Sequence, residues 1–133
     1  MTLLSAYFSE FDFGRRPNLL LWGDTVGLTR LADALQHTAD GPTDRVLLPS
    51  DPADGRTIIL CRSATPSGLI ARADGFEWIL DGETLRWFAE LVNTLVKSGR
   101  QGHQYLETNH PKQITVRVSY GEYPDSLRPI PQA

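Results

Sequence analysis

The chain has 133 residues, 41% of them hydrophobic and 22% charged, which is the size and composition of one globular domain able to bury a core without staples. A formal net charge of −3 gives no basic excess to draw the chain onto phosphate backbones, so a nucleic-acid partner is not expected. A single cysteine, Cys61, excludes an internal disulfide and any cysteine-pair zinc site.

The N-terminus has no basic start followed by an apolar stretch, and no apolar run approaches the roughly 18–20 residues a membrane helix needs. A cytoplasmic protein without membrane contact is therefore expected. The first strand reads from "TLLSAYFSEF". A turn, "FDFGRRPN", carries Arg15 and Arg16, read as a solvated charge pair or else as a contact for an acidic group, and "NLLLW" is the second strand. In "DTVGLTRLADALQHTADG" the residues Leu28, Leu31, Ala32, Leu35 and Ala39 recur at intervals of three and four, along one helical face. Asp24 is placed to cap its N-terminus, and Gly41 followed by Pro42 ends it. The glycines of "WGDTVG" have the look of a phosphate loop, but with an interposed Asp and no Lys they read as a helix cap.

Two strands follow, "RVLLP" and "RTIILCRS", the second holding Cys61 as a small buried hydrophobe. Next come "GLIARA" and "FEWIL", then a second helix, "DGETLRWFAELVNTLVKSG", with Leu85, Phe88, Ala89, Val92 and Val96 on one face. Asp81 is its cap and Gly99 its stop. The strands "HQYLE" and "KQITVRVSY" precede a tail, "YGEYPDSLRPIPQA", with three prolines in its last ten residues. That tail is expected to be extended or disordered, or to lie along the surface as a polyproline-like strip, with Tyr120 and Tyr123 as anchors.

The two helical patterns superpose at an offset of 57 positions, which also places Asp24 on Asp81. The organisation is read as a ββαββ unit written twice, about 1–64 and 67–120, followed by the Pro-rich tail 121–133. The fold class expected is α+β, one mostly antiparallel sheet with two helices on one face and the other face open to a partner.

Function is sought where the halves differ. The second helix carries Trp87 and Leu91, four apart and neighbours on its surface, where the first has Arg30 and Ala34. They read either as a wider core stripe or as an apolar patch for a partner. In "SGRQGHQYLETNHP" an extended strand turns His103, Tyr105 and Glu107 to one face and Gln104 and Leu106 to the other. His103 and Glu107 then lie about 13 Å apart at ~3.3 Å per residue, too far for a direct acid and base pair. His110 falls in a turn and His37 on the first helix, with no H-x-x-x-H or H-E-x-x-H spacing to gather a metal. No G-x-S-x-G elbow, Walker A loop or strand-following G-x-G-x-x-G is found. Accordingly, no catalytic residue, metal or cofactor is assigned.

From "ILDGETLRWFAELVNTLVKSG" through "GHQYLE" to "ITVRVS", roughly residues 76–120, the chain resembles the immunity protein 32 family of bacterial polymorphic toxin systems. The matching positions are Asp81, Gly82, Leu85, Arg86, Phe88, Ala89, Gly102, His103 and Leu106. The first half departs from this pattern, with "TDRVLLP" where the second has its Gly-His strand. The resemblance implies a non-enzymatic protein that binds a cognate toxin and occludes it, through anchors expected at Trp87, Leu91, His103, Tyr105 and Glu107. Two alternatives remain: a homodimeric structural or regulatory module, and a small enzyme that uses the histidines with Glu107 or Glu122 in a groove between the halves.

Overall fold

The computed structural model describes residues 4–9, 18–48, 50–52, 57–73, 75–106 and 115–120. The two amphipathic segments form α1 (Thr25–Asp40) and α2 (Gly82–Lys97). Each starts where an aspartate can satisfy a free N–H: Asp24 Oδ1 accepts from Gly27 at 2.9 Å, and Asp81 Oδ1 from Thr84 at 2.7 Å. The Asp81 carboxyl is held below its ordinary range, chiefly by that backbone bond and then by the Thr84 side chain.

The helices end by different means. After Ser98 closes α2, Gly99 adopts φ +65°, the left-handed conformation that costs glycine no Cβ clash. Gly41 ends α1 in an extended conformation, φ −79°, which leaves the last carbonyls of α1 without that motif. Arg62 supplies their donors instead: its Nη1 lies 3.0, 2.9 and 3.1 Å from the carbonyl oxygens of Thr38, Ala39 and Gly41. A cation at this end also opposes the negative pole of the helix.

The strands are β1 (Leu4–Ser9), β2 (Asn18–Gly23), β3 (Arg45–Leu47), β4 (Ser50–Pro52), β5 (Thr57–Arg62), β6 (Gly68–Ala71), β7 (Gly75–Leu80), β8 (Gly102–Tyr105) and β9 (Thr115–Tyr120). The short β4 was not expected. It holds Pro52, which cannot donate to a ladder, and it sits at a sheet edge, where that loss is tolerated. The class is α+β, and four of the seven strand pairings among the described residues are antiparallel.

In place of the single sheet read from the sequence, the strands divide into two, in the orders β4-β1-β2-β9-β8 and β3-β5-β7-β6. The hairpin that opens each half pairs with the hairpin that closes the other. β2 runs parallel to β9 with Asn18 opposite Thr115, and β7 runs parallel to β5 with Gly75 opposite Thr57. From Asn18 to Gly75 is a step of 57, and from Thr57 to Thr115 a step of 58, so the closing strands of the two halves correspond one residue later than the opening ones. Arg45 opposite Cys61 and His103 opposite Ser119 repeat it at the same step of 58.

The helices pack on each other, α1 touches strands of both sheets, and α2 lies on β8 and β9 while its Phe88 meets Trp78 of β7, so neither helix belongs to one face of one sheet. One apolar cluster joins Leu19 and Leu21 of β2, Ile58 and Leu60 of β5, Trp78 of β7, Leu31 and Leu35 of α1, Phe88 and Val92 of α2, and Val116 and Val118 of β9. At the β5–β7 junction Gly75 is required by space: a Cβ there would meet the Thr57 carbonyl oxygen at 2.4 Å. Arg15, Arg16, Tyr123 and the tail lie outside the described residues.

Candidate partner-binding surface

β8 is an edge strand whose alternation sorts its side chains. Leu106, immediately after it, is 1% exposed in the core, its N–H donating to the Val116 carbonyl at 2.8 Å. His103 and Tyr105 therefore point to the opposite, outer face, as expected. Their rings meet edge-on, centroids 5.5 Å apart at 84°. Across the ladder they face Ser119 and Arg117 of β9. Glu107 and His110 lie outside the described residues.

Trp87 and Leu91 separate. Leu91 is partly buried and packs against the core, whereas the Trp87 side chain is half exposed, its ring 5.4 Å from that of Phe88 and tilted by 41°. Since α2 shares the inner core with Leu106, Val116 and Val118, the β8–β9 layer stands between this helix and the outer face bearing His103 and Tyr105. The residues singled out from the sequence thus form two separate patches.

A third surface was not anticipated. On the outer face of the four-stranded sheet, Glu77 of β7 receives Arg72 Nε at 2.6 Å and Arg45 Nη1 at 2.9 Å. Beside it is a cavity of about 280 Å³ lined by Thr57, Ile59, Arg72, Gly75, Phe76 and Glu77. The alternation of "GFEWIL" marks Glu77 as outward-facing; the sequence carries no sign of Arg45, which is brought from 32 residues away. Hydrogen bonds from Arg72 and then Arg45 hold the Glu77 carboxyl below its ordinary range, so it braces two guanidinium groups and is a poor proton acceptor near neutrality. Burial pushes the Cys61 thiol up, against the pull of Arg45 Nη1 at 3.5 Å from Sγ, which disfavours the thiolate.

A depressed folded value means the carboxylate adds stability above its unfolded value of 4.5, which is lost as the pH falls through the lower folded one. Thermal melts of Glu77→Gln are expected to fall less steeply between neutral pH and pH 3 than those of the wild type. Parallel curves would show the brace to be thermodynamically silent.

Among the described residues no group of three His, Cys, Asp or Glu side chains is arranged to hold a metal ion, and no helix is long and apolar enough to cross a membrane. Comparisons of the chain with protein-family models, with curated proteins and with solved structures found no match.

Proposed function

We propose that the protein is a non-enzymatic binding protein of the immunity type, which neutralises a cognate bacterial toxin by covering the surface the toxin needs for its substrate. The observation that carries this reading is the display of large apolar side chains on regular elements: Trp87 is 50% exposed on α2 and Tyr105 43% exposed on β8. Tryptophan and tyrosine are the side chains most enriched among interface anchors, because each offers a large apolar area with few torsions to freeze. Rigid presentation favours tight binding, since little chain order is lost on docking. The resemblance of residues 76–120 to the immunity protein 32 family supports the same reading, with Asp81 capping α2 and Leu85, Phe88, Ala89 and Leu106 in the core.

Co-expression with the product of the adjacent gene tests it, scored by growth and then by co-purification. Rescue of a toxic neighbour in a stable complex is the expected result. Alanine at Trp87 or Tyr105 should then weaken the complex by about 30-fold, the level of an interface anchor. Each side chain is about half exposed and stands against one neighbouring ring, so stability should fall by only about 1 kcal/mol. Absence of toxicity and of any complex would remove the proposal, and a complex indifferent to both substitutions would remove these anchors.

A further inference from the structure

The way the halves share their sheets defines a partner independently of the toxin. The first half, β1 to β5 with α1, and the second, β6 to β9 with α2, each place one hairpin in each sheet. They meet along two parallel junctions of six residue pairs each, along the α1–α2 contact, and through one common core. Each half therefore offers the other an apolar surface of the kind found where a domain core is divided between two chains. Residues 63–67 connect them.

We propose that at high concentration this chain associates with a second copy of itself by exchanging halves, with residues 63–67 as the hinge. Every contact between the halves is then kept, because the first half of one copy meets the second half of the other in the same register. Only the path of the connection changes. In the closed chain it passes over the end of β7, bonded there by Ser63 N–H to the Leu80 carbonyl at 2.9 Å and Ser67 N–H to the Ile79 carbonyl at 3.2 Å. It joins Arg62 of β5 to Gly68 of β6, on either side of β7, a gap of about 10 Å at two strand spacings. A connection of this length reaches about 20 Å, so the closed chain is unstrained and intramolecular pairing wins in dilute solution. With Ala64 to Pro66 removed, the reach falls to about 10 Å, no slack remains to round β7, and exchange between copies is favoured.

The ion pair between Asp40 of α1 and Arg86 of α2, 2.8 Å apart and half exposed, crosses between the halves and reports which halves have met. The full chain lacking residues 64–66 is expected to show twice the monomer mass by light scattering. In that background, chains carrying Asp40→Arg and Arg86→Asp each oppose like charges within a closed chain or a homodimer. Mixed together they restore an attractive pair at both junctions, so tagged mixed dimers should be enriched several-fold over homodimers. A folded monomer, or dimers that form without regard to these charges, would overturn the proposal. Should the shortened chain fail to fold, the two charge variants with the natural connection are unfolded together and refolded at high concentration. Mixed dimers would support exchange, and monomers alone would refute it.

Discussion

Replacing Trp78 by alanine is expected to lower the unfolding free energy by about 3–5 kcal/mol, the range for deleting a large buried aromatic side chain. Trp78 is 1% exposed, lies between Leu60 of β5 and Leu69 of β6, and has its ring centroid 5.8 Å from that of Phe88 on α2. Its removal leaves a cavity at the meeting point of both halves, bounded by packed strands and a helix that can relax only in part. Domains of this kind are stable by only about 5–15 kcal/mol, so the loss would take a large share of the total. Because one core serves both sheets, urea titration should show a single transition with a lower midpoint and an unchanged slope. Two separate transitions, one near the wild-type midpoint, would contradict a shared core.

Arg62→Ala should cost about 2–3 kcal/mol although no apolar contact of the core is removed. The substitution leaves the carbonyl oxygens of Thr38, Ala39 and Gly41 without their common donor, at a helix end whose glycine is not in the left-handed conformation that would close it. Arg62→Lys should recover part of the loss, since an ammonium keeps the charge but lacks the fork of the guanidinium. The two urea midpoints, with exchange of the Gly41 amide as the local probe, measure this. An alanine variant as stable as the wild type would show that solvent satisfies those carbonyls equally well.

The limits of a sequence reading are visible in particular residues. Periodicity marked both helices and most strands, and Asp24 and Asp81 were found as caps because the bond each makes lies within three residues of chain. Strand alternation was enough to turn His103 and Tyr105 outward. The reach of Arg45 to Glu77 and the role of Arg62 at the end of α1 were missed for one reason: each joins residues more than 20 positions apart whose meeting is set by how the elements pack. Trp87 and Leu91 were adjacent on the helix, yet a period of 3.6 cannot say which of the two the core will cover.

What the linear chain determined is thus the local grammar: element types, caps, the breaks between elements, and a pattern that returns after 57 positions. Tertiary structure alone decided that the strands before and after each helix are divided between two sheets. Hairpins announce themselves by short turns, whereas β2 with β9 and β5 with β7 are parallel neighbours that must be joined by longer paths. The alternation of their apolar residues is the same whichever strand lies beside them, so the choice of partner rests on which arrangement closes one core around both helices.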